Sequence, residues 1–241
     1  MKIIKVMNNG EAGKVVSDLI LDEIKNNSKA VLGLATGSSP ITTYENIIKK
    51  TKDQSIDWSE VTTFNLDEYK GLESDHEQSY RYFMNDKLFN HINIKKVNTF
   101  VPSGMIDSNE EAVKYDQLIS DHNGIDLQLL GLGINGHVGF NEPGSDFEGL
   151  TSIVDLTKST IEANSRFFEK ESDVPTQAIS MGLKSIMNAK KIVLIATGES
   201  KALAVKNLVE GPISKEWPCS ALLNHPNVTI VIDQEAGKLL K

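Results

Sequence analysis

The sequence predicts an α/β fold: a mainly parallel, doubly wound, Rossmann-like sheet with helices on both faces. Short apolar runs of strand length recur along the 241 residues, and amphipathic stretches of helical period lie between most of them. The runs are continuously apolar, which is typical of strands buried on both faces of a parallel sheet. No linker or internal repeat divides the chain, so residues 1–241 are expected to form a single domain.

The predicted elements alternate in a regular order. After the first strand, an amphipathic stretch places Val16, Ile20 and Ile24 on one helical face. The predicted strands are residues 2–7, 30–36, 61–66, 98–102, 125–133, 191–198 and 228–233, and the helices include 11–27, 41–50, 109–122 and 199–211. Ligands of such sheets bind in the loops that follow the carboxyl ends of the strands. The loops after residues 36, 66, 133 and 198 are therefore expected to carry the chemistry.

Composition argues against several classes of function. Hydrophobic residues make up 39% of the chain and the net charge is −8, which argues against a nucleic-acid partner because phosphate backbones require a basic face. The single cysteine, Cys219, cannot form an internal disulfide and is expected to be a buried thiol. No apolar run approaches the roughly 20 residues of a membrane span, and the amino terminus turns polar too soon for a signal peptide. We expect a cytoplasmic protein with neither a membrane nor a nucleic-acid partner.

Residues 36–40, which follow the second predicted strand, read Thr-Gly-Ser-Ser-Pro. Backbone N–H groups at a helix N-terminus, a glycine that permits close approach and neighbouring hydroxyls together make a cradle for an anion. The spacing of a nucleotide-binding P-loop is absent. Thr36, Gly37, Ser38 and Ser39 are therefore candidate phosphate-binding residues, and the alternative is a plain turn with a serine N-cap.

Asp67 and Glu68 come directly after the third predicted strand, at the ligand end of the sheet. A carboxylate held there in a partly dry pocket has a raised pKa and can act as a general base. The alternative is a helix N-cap or a solvated turn.

The stretch GLGINGHVGFNEPG, residues 131–144, begins with the G-x-G-x-x-G pattern of dinucleotide-binding loops. That function needs a helix starting at Gly136, and the glycines and proline that follow disfavour one. His137 can gain and lose a proton near neutral pH, and Asn135 and Glu142 could fix its tautomer and orientation. A site for a hard cation is the alternative, although H-x-x-x-x-E is no recognised ligand spacing.

Two cations are candidate anion ligands. Lys201 lies in the first turn of a predicted helix, where the helix dipole disfavours a cation unless an anion is bound. Arg166 lies in an amphipathic stretch, and its guanidinium suits phosphate. Each could instead be a solvated surface charge.

Five stretches taken together resemble the glucosamine-6-phosphate deaminases, and the resemblance extends over essentially the whole chain. They are LATGSSP, FNLDEYKGL, GLGINGHVGFNEPG, ANSRFF and TGESKALA, in that order. The combination of NGHVGFNEP with LDEY is highly specific, because related 6-phosphogluconolactonases typically lack the F-N-E-P continuation and the L-D-E-Y pairing.

The resemblance implies conversion of glucosamine 6-phosphate and water to fructose 6-phosphate and ammonium, with no metal or organic cofactor. It implies that Asp67 moves the C2 proton towards C1, that His137 assists ring opening and that Glu142 is the partner of His137. The cradle residues, Arg166 and Lys201 would hold the phosphate.

Two departures from the family pattern lead to further expectations. Some members carry aspartate where this chain has Asn135, so we expect Glu142 to supply the carboxylate. Long hexameric members are activated by N-acetylglucosamine 6-phosphate through basic residues after N-E-P and a longer carboxyl terminus. Here residues 144–157 are acidic and apolar and the chain ends at Lys241. We expect hyperbolic kinetics and a monomer or small homo-oligomer.

Two other functions stay open for this fold: a lactonase or isomerase acting on another sugar phosphate, and a non-catalytic sugar-phosphate sensor. A sensor should lack the base and the ring-opening histidine. It would usually carry a fused DNA-binding domain, for which the chain has no spare length.

Overall fold

The computed structural model describes residues 1–165, 168, 170 and 173–241. In these residues a seven-stranded sheet has the order β1-β10-β9-β6-β2-β3-β5, with every neighbouring pair parallel. Its strands are β1 (Lys2–Val6), β2 (Val31–Leu34), β3 (Thr62–Asn65), β5 (Thr99–Phe100), β6 (Leu127–Gly131), β9 (Ile192–Ala196) and β10 (Val228–Asp233). These correspond to the seven strands that the sequence predicts, and the mainly parallel α/β class is confirmed.

The helices follow the predicted alternation. They are α1 (Asn9–Asn26), α2 (Ile41–Gln54), α3 (Tyr80–Met84), α4 (Asn109–Asp121), α5 (Lys158–Ser165), α6 (Leu183–Met187) and α7 (Ala202–Glu210). A π-helical turn, Asn85–Phe89, continues α3, and 3-10 helical segments cover Lys96–Asn98, Glu199–Lys201 and Pro218–Asn224. No helix in the described ranges is long and apolar enough to cross a membrane.

A second sheet was not predicted from the sequence. Within the described residues it has three antiparallel strands in the order β4-β8-β7: β4 (Asp67–Tyr69), β7 (Ser152–Asp155) and β8 (Gln177–Ser180). Each is only three or four residues long, and β4 begins one residue after β3 ends and starts with two acids. Strands this short show no clear alternation of apolar and polar residues in the sequence. They are defined by their hydrogen-bonded pairing with distant segments.

The core lies between the parallel sheet and the helices on its faces. Strands β2, β6 and β9 are almost fully buried, as continuously apolar strands in such a sheet should be. The buried face of α1 includes Val16, Ile20 and Ile24, which the periodicity predicts, and Asn8 caps the helix by accepting from the Glu11 N–H.

The chain direction across the sheet reverses between β2 and β6. From β2 the chain continues through α2 to β3 on one side, whereas the strands beyond β6 lie on the other side. The loops leaving these two adjacent strands therefore diverge and leave a crevice at their carboxyl ends. Such a switch point is where ligands bind in open α/β sheets.

Candidate active site

A cavity of about 480 Å³ occupies this crevice. Loops following β2, β3, β6 and β9 form most of its wall, which agrees with the loops that the sequence singles out. Eight of the ten predicted site residues line it: Thr36, Gly37, Ser38, Ser39, Asp67, Asn135, His137 and Lys201. Glu142 lies behind His137, and Arg166 lies outside the described residues.

The predicted cradle lies at one side of the cavity. It joins β2 to α2, and Pro40 immediately precedes the first residue of α2 in an α-helical conformation. Ser38 and Ser39, whose N–H groups and hydroxyls precede α2, line the cavity, and no side chain caps α2 in the described structure. These groups are suited to bind a phosphate oxygen.

Lys201 lines the same cavity and ends the 3-10 turn that precedes α7. Burial lowers the pKa of its ammonium group. Among the described residues no carboxylate lies within 4.0 Å of its Nζ, whereas two other half-buried lysines, Lys50 and Lys70, pair with Asp18 and Asp107. A half-buried ammonium without a partner favours an anion in the cavity.

Asp67 is the first residue of β4 and is 6% exposed. Burial, together with the charge of Glu68, raises the pKa of its carboxyl to about 8. Its backbone pairs with Ser180 of β8, and in the described residues its carboxylate accepts no hydrogen bond. The carboxyl group thus faces the cavity unpaired, which is the state expected of a general base waiting for a substrate proton.

Glu68 has a different role from its neighbour. Its carboxylate accepts hydrogen bonds from the backbone N–H groups of Tyr69, Tyr80 and Arg81 at 2.8–3.0 Å. Two of those donors begin α3, so Glu68 caps this helix. Burial nevertheless raises the pKa of Glu68. Of the two adjacent acids, one therefore lines the cavity and the other holds α3, whose first residue, Tyr80, lines the cavity as well.

The loop after β6 carries His137 and its polar partners. His137 Nδ1 lies 2.7 Å from Asn135 Oδ1, and Asn135 Nδ2 donates to Glu142 Oε2 at 2.6 Å. The separation between His137 Nδ1 and Glu142 Oε1 is 3.5 Å. The carboxylate is therefore linked to the imidazole through the Asn135 amide.

This chain of contacts fixes the tautomer of His137. An ionised carboxylate only accepts hydrogen bonds, so the NH₂ group of Asn135 must face Glu142 and its carbonyl oxygen must face the imidazole. A carbonyl oxygen also only accepts, so Nδ1 of His137 must carry a proton. In the neutral ring Nε2 is then free to accept a proton.

Glu142 stays ionised in this arrangement. Burial raises its pKa, but the proximity of His137 and the hydrogen bonds from Asn135 and Thr160 outweigh that effect, and its pKa falls to about 2. Its side chain is only 12% exposed. A negative charge this close to the imidazole stabilises the imidazolium form during proton transfer.

Glycines allow the loop to pack this tightly. A Cβ at Gly133 would lie 2.4 Å from ring atoms of His137. Gly139 has a φ of +57°, and a Cβ there would lie 3.2 Å from Ser180 Oγ and 3.6 Å from Asp67 Oδ2. The loop therefore passes directly beside the Asp67 carboxylate.

The polar residues of the FNEP segment hold the rest of the loop. Asn141 Nδ2 donates to the carbonyl oxygens of Val138 and Met181, and Ser180 Oγ accepts from the Phe140 N–H. No helix follows Gly136 before β7, so this loop lacks the helix N-terminus on which a G-x-G-x-x-G loop binds a pyrophosphate. Cys219 is buried beneath this loop, where its N–H donates to the Gly136 carbonyl.

Sequence reasoning missed three residues of the site: Tyr80, Phe140 and Thr160, all of which line the cavity. Tyr80 and Phe140 stack with a ring-centroid separation of 6.2 Å and an interplanar angle of 11°. Tyr80 and Phe140 are aromatic residues of the kind that usually pack in the core, and Thr160 lies in a stretch with no motif, so the sequence held no signal for a role in the site.

Comparison with known proteins agrees with this geometry. Residues 9–231 match the family described as glucosamine-6-phosphate isomerases/6-phosphogluconolactonase. The glucosamine-6-phosphate deaminase of Mycoplasma mycoides is 52% identical over 240 residues, covering 100% of this chain and 98% of that protein. That of Clostridium perfringens is 52% identical over 242 residues, with both chains covered completely.

Solved structures extend the comparison to the fold. A monomeric glucosamine-6-phosphate deaminase superposes with a TM-score of 0.96 at 43% identity, covering 99% of this chain and 100% of that one. The 6-phosphogluconolactonase of Trypanosoma cruzi shares the fold with a TM-score of 0.77 at 19% identity, over 100% of this chain and 97% of that one. The chain belongs to the glucosamine-6-phosphate isomerase/6-phosphogluconolactonase family.

Proposed function

We propose that this protein is a glucosamine-6-phosphate deaminase, which converts glucosamine 6-phosphate and water to fructose 6-phosphate and ammonia. The observation that carries the proposal is the unpaired, buried carboxyl of Asp67 in the same cavity as His137. An aldose–ketose isomerisation needs one group that opens the sugar ring and another that moves a carbon-bound proton. Relatives 52% identical over their full length carry the deaminase name.

Ring opening falls to His137. Opening the pyranose requires that a proton leave the O1 hydroxyl and that a proton reach the ring oxygen. The free Nε2 of the neutral imidazole accepts the first proton, and the imidazolium returns a proton to the ring oxygen. Glu142, acting through Asn135, stabilises the intervening imidazolium.

Isomerisation falls to Asp67. Its carboxylate removes the proton from C2 while a proton of the substrate's own ammonium group passes to O1, and the resulting enolamine has a C1=C2 double bond. The same carboxyl group returns the proton to C1, which leaves an imine at C2. Water adds to the imine carbon, and ammonia leaves as the C2 carbonyl of the ketose forms. A raised pKa makes the carboxylate a stronger base, and the cationic amino group of the substrate favours its ionised form.

Phosphate binding positions these steps. The cradle at residues 36–39 and Lys201 hold the phosphate at one end of the cavity, and Arg166 is proposed as a further ligand. Binding energy from the non-reacting phosphate fixes C1 and C2 beside His137 and Asp67.

Asp67 and His137 argue against the two alternatives, a lactonase and a non-catalytic sugar-phosphate sensor. Lactone hydrolysis removes no proton from carbon, so it does not need Asp67 as a base for a carbon-bound proton. A sugar-phosphate sensor requires neither a base nor a free imidazole nitrogen. We also propose a cytoplasmic location and a monomer or small oligomer, the latter supported by the solved deaminase that is monomeric.

The test is direct. Purified protein is incubated with glucosamine 6-phosphate, and ammonia and fructose 6-phosphate are measured in parallel. The proposal expects the two products in equal amounts. Ketose formation without ammonia, or no turnover at all, would refute it; hydrolysis of 6-phosphogluconolactone with no deamination would favour the lactonase.

A further inference from the structure

Thr160 contacts the active-site carboxylate from a different part of the chain. It lies in α5 and its Oγ1 donates to Glu142 Oε1 at 2.8 Å. The residue is half-buried and lines the cavity. The hydroxyl therefore reaches the His137 system from helix α5, and not from the loop that carries His137.

The two oxygens of Glu142 have different donors. Oε2 accepts from Asn135 Nδ2, whereas Oε1 accepts from Thr160 and lies 3.5 Å from His137 Nδ1. Without the hydroxyl, the nearest donor to Oε1 that remains among the described residues is the imidazole of His137. The carboxylate would then turn towards His137, and the bridge through Asn135 would weaken.

Thr160 is itself held in place. Thr157 Oγ1 lies 3.0 Å from Thr160 Oγ1, and the Thr160 N–H donates to Thr157 Oγ1 at 3.3 Å. Because the Thr160 hydrogen points to the carboxylate, its oxygen accepts the hydrogen of Thr157. Successive hydrogen bonds in one direction polarise and strengthen one another. Two such series meet at the Glu142 carboxylate: one runs from Thr157 through Thr160, and the other runs from His137 through Asn135.

We propose that Thr160 is a positioning residue for ring opening, whose hydroxyl holds the Glu142 carboxylate in the orientation from which Asn135 bridges to His137. The inference rests on the proposed deaminase function. If Thr160 has this role, His137 can transfer protons efficiently only when helix α5 is in the position that brings Thr160 to Glu142. Thr160 acts through Glu142 and takes no part in binding the phosphate.

Substitutions at position 160 separate this role from simple packing. Thr160→Val keeps the shape of the side chain and removes the hydroxyl, and Thr160→Ser keeps the hydroxyl. We expect kcat of Thr160→Val to fall about tenfold, as loss of a hydrogen bond to a charged group implies, with KM within about twofold. Thr160→Ser should restore most of the activity. Thr63→Val, in β3, is the matched control, because its buried hydroxyl has no partner among the described residues.

A double-mutant cycle tests whether Thr160 acts through Glu142. Adding Thr160→Val to Glu142→Ala should change kcat less than about twofold, because the acceptor is already gone. Wild-type kcat in Thr160→Val, or the full loss repeated in the Glu142→Ala background, would overturn the inference. A wild-type protein that does not deaminate glucosamine 6-phosphate would instead refute the proposed function, so the two failures are distinguishable.

Discussion

His137 Nδ1 makes its hydrogen bond to Asn135 Oδ1 at 2.7 Å, while the Glu142 carboxylate lies 3.5 Å from the same nitrogen. The amide therefore transmits the orientation of the carboxylate to the ring. The charge of Glu142 acts on the imidazole over that short distance, through a poorly solvated region. One residue supplies the geometry and the other supplies the charge.

Asn135→Asp tests this division. The new carboxylate would lie where Asn135 Nδ2 now donates to Glu142 at 2.6 Å, and two carboxylates at that distance retain one proton between them. The pair would keep a single negative charge, so we expect kcat within about threefold of the parent. Steady-state kinetics with glucosamine 6-phosphate give the answer. A kcat more than about tenfold higher would show that the amide limits the parent enzyme and that Glu142 does not carry the charge.

Lys201→Ala tests the phosphate site. Losing the Lys201 ammonium group from the cavity should raise KM for glucosamine 6-phosphate by about 10- to 100-fold, with a smaller effect on kcat. Lys206→Ala, in the adjoining helix α7 and not among the residues that line the cavity, should behave as wild type. Competitive inhibition by inorganic phosphate should weaken in parallel. Equal KM values for the two variants would exclude Lys201 from the phosphate site.

We expect the Asp67→Asn variant to become increasingly more stable than wild type as pH rises. The folded pKa of about 8 exceeds the ordinary value of 3.8, so the native state binds a proton that the unfolded chain loses above pH 3.8. The stability of wild type therefore declines relative to the variant from pH 4 to pH 8, by up to about 1.4 kcal/mol per pH unit. Urea unfolding at pH 4, 6 and 8 measures the difference in the free energy of unfolding between the variant and wild type. A gap that does not widen with pH would contradict the raised pKa.

Absence of allosteric activation is a further prediction. The residues after the FNEP segment, 144–157, are acidic and apolar and offer no basic cluster for a second sugar phosphate. Rates should depend hyperbolically on glucosamine 6-phosphate, and N-acetylglucosamine 6-phosphate should not increase them. Sigmoidal rates that become hyperbolic when the acetylated sugar phosphate is added would show that this prediction is wrong.

The parallel sheet could be predicted because its central strands β2, β6 and β9 are almost continuously apolar and its long helices have one apolar face. The loops that meet at the crevice follow from the same pattern, since the carboxyl ends of parallel strands share one edge. The small antiparallel sheet was not predictable, because β4, β7 and β8 are short and defined by pairing between distant segments.

Within the site, the sequence indicated which residues carry the chemistry but not which residues they contact. Asp67 and His137 stood out by their chemistry and position in the sequence. The role of Glu68 as the cap of α3 depends on N–H groups 12 and 13 residues away, and Thr160 reaches Glu142 across 18 residues. Such contacts arise only from the tertiary arrangement.

The central claim is that Asp67 moves the substrate proton between C2 and C1. It is tested most directly by assaying Asp67→Asn for ammonia release from glucosamine 6-phosphate, while calorimetry measures binding of the same sugar phosphate. The account predicts that turnover falls by at least about 10³-fold and that binding is largely retained. Full turnover in Asp67→Asn would contradict the assignment of the base.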